Sequence, residues 1–383
     1  MSKCSKSITR LSDPRRNAYK GLIWGGVMAC LLISASPALA FKLSPQGTVL
    51  ERKLSRVGVG LVDKITQSLA LRGIEHFTEP VHEEITQRIY GCEGDAEVCA
   101  DPDLGFASPF VVAGVRWNDD PPFRLNPGQG RDLHCKVEET IRIITQPWCW
   151  GGLFRDAKRR AERGELMDAA SGVSLLHRSH FGDLQFMHAM ATKDGEPAET
   201  TRRKILMWAE FTWRTAMKEY GLATRLQDIS IEGFNDHFGR TEWRVQDLFT
   251  LGNIALRQRM HEVAFGSLLH MVQDSFARGH IDRAEPILGE TCPGPGKYAK
   301  PGVIREFHAY GNQDTGKHAD YDSRHAFARH MSAERPNVID VGRVLKEMFE
   351  RGQAWETVKP YLECIFEAGN PAAKASPGDA FTK

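Results

Sequence analysis

Residues 266–280 read Gly266–Ser–Leu–Leu–His270–Met–Val–Gln–Asp274–Ser–Phe–Ala–Arg–Gly279–His280. Phe265, Leu268, Leu269, Val272 and Phe276 recur at helical spacing, which predicts the C-terminal half of a buried helix. Gly279 suits the left-handed residue that commonly ends one. His270 and Asp274 are one turn apart and stack on one face. His280 follows the expected stop, where a turn can swing it back toward that face. Imidazole nitrogens and carboxylate oxygens are ordinary zinc ligands, and a helix presents two of them in fixed geometry. The plainer alternative is a buried His–Asp hydrogen bond beside an unrelated surface His.

Working outward, 383 residues with 41% hydrophobic content suffice for one large domain or two modest ones. Fifty basic and 49 acidic residues leave a formal charge of +1, so electrostatic capture of long nucleic acid is not expected. Residues 1–40 are expected to be a signal peptide. Arg10, Arg15, Arg16 and Lys20 form a positive region, Gly21–Ser36 is apolar and small, and Ala38–Leu39–Ala40 has the form of a cleavage site. A secreted or periplasmic protein without a transmembrane segment after signal removal follows as an expectation. Six cysteines remain beyond that segment, an even number that in an exported chain favours disulfides. The simplest local pairing is Cys92–Cys99, Cys135–Cys149 and Cys292–Cys364. With no Cys-x-x-Cys pair, a thiolate zinc site is not expected.

Along the chain, 41–75 reads as an amphipathic helix. A second helix is framed by Thr78, Pro80 and Gly91, with His82 in its first turns. His82–Glu–Glu–Ile–Thr86 begins like a zincin motif, but Thr86 stands where the second His belongs. Residues 92–115 read as loop. Asp119 and Asp120 precede two prolines in a stiff, non-helical segment, and His134 follows beside Cys135. The charged run 152–170 is expected to be a solvated helix face. Residues 171–192 read as a His-rich helix whose His180, Asp183 and His188 are candidate walls of a substrate pocket. A helix at 200–220, a loop or insertion at 221–242, and one long helical run from 242 into the opening stretch come next. Residues 290–303 read as loop. His318 and Asp322 form a second pair one turn apart, with His308 and Asp314 as rivals. A last helix is expected over about 339–367, and 370–383 as a flexible tail. Strand patterning is almost absent, so the fold class is all-α: a single multi-helix domain over 41–369.

Taken in order, His82, Asp119 or Asp120, His134, His270, Asp274, His280, His318 and Asp322 resemble the zinc-dependent phospholipase C and P1-type nuclease superfamily. His270, Asp274 and His280 match its His–x3–Asp–x5–His without a gap. His318 and Asp322 match a later His–x3–Glu/Asp pair, His82 an early His, and Trp117, Asp119 and His134 a Trp-x-Asp followed by His. More closely, His82–Glu–Glu–Ile–Thr–Gln87, Arg116–Trp–Asn–Asp–Asp–Pro121 and Gly266–Ser–Leu–Leu–His–Met–Val–Gln–Asp–Ser look like the bacterial zinc metallophospholipase C branch. The resemblance covers roughly 76–325, with 190–260 a helical insertion. It implies an all-α fold and two or three zinc ions. Asp119, His134, His270 and Asp274 would hold one; Asp274 would bridge to a second shared with His82; His280, His318 and Asp322 would hold the third. In that family an N-terminal Trp is a ligand close before the first His. Here the expected N-terminus, Phe41, lies far upstream, and His76 is a candidate replacement.

The expected activity is hydrolysis of phosphatidylcholine-type phospholipids at a membrane surface to diacylglycerol and a phosphorylated head group. Asp119 or Asp120 would orient or deprotonate the attacking water. A P1-type single-strand nuclease or 3′-nucleotidase is the alternative within the family. A secreted binding protein with structural metals is the alternative of another class.

Overall fold

The helix at the centre of the molecule is Met260–Asp274, and every residue in it except His261 is buried. Apolar residues run all round it, as a helix inside a large core requires. It packs most extensively on helix Pro109–Val115 and next on helix Ala198–Ala216. Two glycines permit the first contact. A Cβ on Gly266 would lie 2.2 Å from the Val111 carbonyl oxygen, and one on Gly114 2.1 Å from that of Val263. The helix backbones therefore touch, which brings the Val115 carbonyl within reach of His270.

In this computed structural model the described residues are 43–44, 47–55, 69–70, 79–133, 135–321, 323–333 and 335–383, all within one compact unit, 37–383. The expected signal segment, most of 41–75, His76, His134 and Asp322 lie outside them. Among the described residues the chain is helix-rich. Its strands form two short antiparallel pairs, Ile281–Arg283 with Ile304–Phe307 and Thr291–Cys292 with Tyr298–Ala299. No helix among them is long and apolar enough to cross a membrane.

Several expected elements differ, each for a local reason. Within 92–115 the loop composition yields to a cap: Ser108 Oγ accepts from Phe110 N and Pro109 opens helix Pro109–Val115. The long run from 242 is three helices, Val245–Thr250, Ile254–Arg257 and Met260–Asp274. Gly252, at φ +73°, and the Asn253 cap make the first break. Helix Met260–Asp274 stops before Gly279, and tight turns through Ala277 carry the chain to His280. The His-rich helix ends at Phe181, because Gly182 lies against the Met167 carbonyl, 2.0 Å from where a Cβ would sit. Residues Gln185–His188 continue as a 3-10 turn. The last helix is two, Val338–Glu350 and Trp355–Ile365, with Gly352 at φ +62° between them.

The expected flexible tail is instead laced to the body. Ala198 N donates to Ala373 O, Gly195 N to Ala375 O, Ala309 N to Ser376 O and Asp314 N to Phe381 O. Ala375 and Phe381 are buried. Residues 190–260 supply part of the main core. Trp208 stacks on Trp117 with centroids 5.7 Å apart, and Phe211 packs on Phe234 at 4.5 Å. The disulfides are Cys92–Cys99, Cys135–Cys149 and Cys292–Cys364. The last ties the Thr291–Cys292 strand to helix Trp355–Ile365.

Candidate metal centre

Four segments meet at the C-terminal end of helix Met260–Asp274. Helix Val81–Ile89 brings His82, the turn after Pro109–Val115 brings Asp119, and the 3-10 turn Gln185–His188 brings His188. The central helix brings His270 and Asp274. Its C-terminus carries the negative end of the helix dipole, which favours a cation and disfavours a lone carboxylate.

Three of the imidazoles are held through Nδ1. His270 Nδ1 donates to Val115 O at 2.7 Å, and His280 Nδ1 donates to His188 O at 2.7 Å. Both rings therefore keep Nε2 as the basic nitrogen. His82 is held by a closed circuit. Its Nδ1 donates to Gln273 Oε1 at 2.7 Å, Gln273 Nε2 donates to Thr86 Oγ1 at 2.9 Å, and Thr86 Oγ1 donates to His82 O at 2.7 Å. Thr86, the residue that breaks the zincin pattern, thus supports the tautomer of His82. Such outer hydrogen bonds orient metal-ligating imidazoles.

The opposite nitrogens converge on carboxylates. His270 Nε2 and His188 Nδ1 each lie 2.9 Å from Asp274 Oδ2 and 3.1 Å from one another. His82 Nε2 lies 3.3 Å from Asp274 Oδ1. Asp119 approaches His188, His270 and His82 at 3.7, 3.8 and 3.9 Å. Ligand atoms ~2.0–2.1 Å from a tetrahedral zinc stand about 3.4 Å from each other, so this spacing fits a zinc-sized cation. Among the described residues three overlapping groups qualify, His82–Asp119–His270, Asp119–His180–His188 and His188–His270–Asp274, with ligand atoms within 4.8 Å in each. The two oxygens of Asp274 face different imidazoles. Among the described residues, buried Asp119 Oδ2 and His188 Nε2 have no hydrogen-bond partner. Buried polar atoms are rarely left so, and two metal-ligand atom types left so in one cluster fit a cation there.

The electrostatics agree. Burial works against the charge of Asp274, but His270, His280 and His188 hold its carboxyl well below the usual range. Burial lowers the His82 imidazole, yet Asp274 and Asp119 outweigh it and raise the group to about 9. His270 is lowered, chiefly by burial, with His82 stacked on it at 4.0 Å between centroids. The carboxylates thus demand positive charge where two protonated imidazoles would repel each other. A divalent cation on the ring nitrogens meets that demand without the clash.

The next residue after two of these ligands turns the other way. Glu83 pairs with Arg116, and Asp120 pairs with Arg142 at 3.0 Å and accepts from Ile143 N at 3.0 Å. Glu51 joins both guanidiniums, at 3.0 Å from Arg116 and 2.7 Å from Arg142. This buried network clamps the backbone behind His82 and Asp119. It also corrects one expectation: Asp120 is structural, with its carboxylate spent on Arg142, and Asp119 alone of the pair faces the cluster.

His188 is the ligand candidate that sequence reasoning misplaced. His134, expected beside Asp119, His270 and Asp274, lies outside the described residues; His188 stands in that company. His180 reaches the same edge, its ring 5.2 Å from that of His188. Asp183 does not: it is taken by Arg178 at 2.8 Å and His237 at 2.7 Å, so its place as a pocket wall is withdrawn. His280 and buried His318 pair at 5.0 Å between ring centroids, next to Tyr310. Asp322 lies outside the described residues. The rival pair fails, because Asp314 caps its own helix at Lys317 N and His308 Nδ1 donates to Gly279 O. No protein-family model, curated protein or solved structure matches this chain.

Proposed function

We propose that this protein is a zinc-dependent phospholipase C that cleaves phosphatidylcholine-type lipids on the glycerol side of phosphorus. The convergence of imidazoles and carboxylates from four distant segments on the end of one buried helix carries the reading. The resemblance of the His82, Arg116–Pro121 and Gly266–Ser275 stretches to the bacterial enzymes supplies the lipid. A net charge of +1 counts against the nuclease alternative.

In this reading Asp119, His188, His270 and Asp274 would hold one zinc, and His82 with Asp274 a second. His280 and His318 would hold a third. Bound zinc neutralises phosphoryl oxygens and brings a water's pKa near neutrality. The chain's own groups do the remainder. Asp119, 13% exposed and with an unpartnered Oδ2, is the carboxylate placed to orient water and accept its proton. The Gln273–Thr86 circuit keeps His82 from rotating, and buried Arg116 and Arg142 keep the two ligand-bearing backbones in register.

The test pairs zinc content with turnover on phosphatidylcholine and on single-stranded DNA. His188→Ala is expected to lose one equivalent of zinc and, by removing a ligand, about a thousandfold or more in turnover. A His188→Ala protein with full zinc and full turnover would remove this assignment. Turnover on DNA in place of lipid would transfer the site to the nuclease reading.

A further inference from the structure

The loop between strands Ile281–Arg283 and Thr291–Cys292 ends in two bare aliphatic side chains. Leu288 is 103% exposed and Ile287 65%, and they are neighbours in sequence at one tip. The tip is an ordered turn. Glu290 N donates to Ile287 O at 3.2 Å, and Gly289 adopts φ +89° with open space around its Cα. The stem is held firmly. Ala284 N donates to Val303 O and Lys300 N to Glu290 O, and Cys292 is disulfide-bonded to Cys364. Arg283 reaches Ser275 O at 2.8 Å, Ile365 O at 2.9 Å and Gly302 O at 3.0 Å. Ser275 directly follows Asp274, so the stem is tied to the floor of the metal centre. From His280 to Leu288 the chain reaches at most about 28 Å.

Among the described residues, nothing in the fold uses these two side chains. A lone exposed aliphatic is ordinary, but two at the apex of a rigid turn are poised to enter an apolar phase. They are too few for a protein interface, which needs on the order of 800 Å² per partner. A bilayer makes no such demand and accepts any protruding apolar tip. Charge selects the lipid. The ionisable residues of 284–290 are Glu285 and Glu290, both exposed at the base of the tip. The neighbouring Lys300 is occupied by Glu290 at 3.3 Å and Glu367 at 2.8 Å. Glu290 is compensated by Lys300, so Glu285 is the charge left at the base; it is repelled by anionic leaflets and complements the outermost ammonium groups of a choline surface.

We propose that residues 284–290 form a preformed anchor whose Ile287 and Leu288 insert into zwitterionic phospholipid bilayers and set the metal centre against the surface. This rests on the phospholipase reading, and two readouts keep the claims apart. Binding of the full zinc-loaded protein is measured by flotation with vesicles of a phosphonate analogue of phosphatidylcholine that resists cleavage. Turnover is measured on a short-chain, monomeric phosphatidylcholine. The double variant Ile287→Asp/Leu288→Asp is expected to lose about a hundredfold or more in vesicle binding and keep its turnover on the monomeric lipid. Adding phosphatidylserine is expected to weaken wild-type binding at low salt. Equal binding by variant and wild type, failure of the wild type to bind, or binding that rises with phosphatidylserine would each overturn the anchor. Loop-dependent binding without turnover on any lipid would uphold the anchor and remove the phospholipase.

Discussion

At the scale of single residues, Gln273 matters as much as the ligands beside it. Its Oε1 fixes the His82 proton on Nδ1, and its Nε2 is in turn held by Thr86. Gln273→Leu removes both bonds and leaves a buried imidazole free to turn. Loss of such an outer partner typically costs about 10–100-fold in metal affinity. Competitive zinc titration should show that drop for Gln273→Leu, and a smaller one for Gln273→Glu, which keeps the acceptor. Unchanged affinity in the Leu variant would mean the circuit does not support the ligand. A second residue-scale prediction concerns Glu51. Burial opposes its charge, but Arg116 and Arg142 hold its carboxyl below the ordinary glutamate range. A carboxyl depressed in the folded state adds stability above its unfolded pKa and loses it as pH falls through the folded one. Denaturant melts of wild type and Glu51→Gln should therefore differ most at neutral pH, with the gap narrowing as pH falls below about 4. Both are run in chelator, so that metal loss cancels in the difference. A gap constant down to pH 3 would show that Glu51 is not charged in the fold.

At the scale of elements, the crossing of Met260–Asp274 over Pro109–Val115 positions the site. Gly266→Ala puts a methyl group into the Val111 carbonyl, and the only relief is to part the helices. Overpacking of this kind costs about 1–3 kcal/mol. It should also lengthen the bond from His270 to Val115 O, so thermal stability and zinc affinity should fall together. Stability loss with intact affinity would show that the glycine contact serves packing alone. The same crossing explains what was legible beforehand. His270 and Asp274 share a helix face by spacing alone, and two of the three cysteine pairs were close in sequence, 7 and 14 residues apart. Asp119 and Asp120 were not separable, because adjacent residues outside a helix face opposite ways and only the buried arginines decide which. His188 was invisible as a ligand, because offsets counted along one helix lose meaning once Gly182 ends it. Ser108–Pro109 was a readable helix start that the loop-like composition around it concealed.

At the scale of the whole molecule, the centre is a tie between parts that share little else. Its candidate ligands among the described residues come from residue 82, residue 119, residues 180–188 and residues 270–274, and the tail that closes beside His308 reaches residue 383. Periodicity finds helices, but it carries no information on which ends meet. Here that is set by the glycine crossing, the Arg116–Arg142 network and the cluster itself. The fold must therefore bear the cost of bringing Asp119 and Asp274 together whenever no cation stands between them. Binding that occurs only in the folded state adds RT ln(1 + [L]/Kd), about 2.7 kcal/mol per site at a hundredfold excess over Kd. For a chain this long, one such site corresponds to roughly 4 °C in Tm. Calorimetry of the zinc-loaded protein before and after chelation should show a fall of that order or more, reversed by zinc and not by magnesium, which prefers octahedral oxygen ligands. Asp274→Asn should already melt near the chelated wild type and respond little to zinc. A wild-type Tm indifferent to chelation would mean that the imidazoles and carboxylates satisfy one another without any ion, and the hydrolase reading would lose its footing.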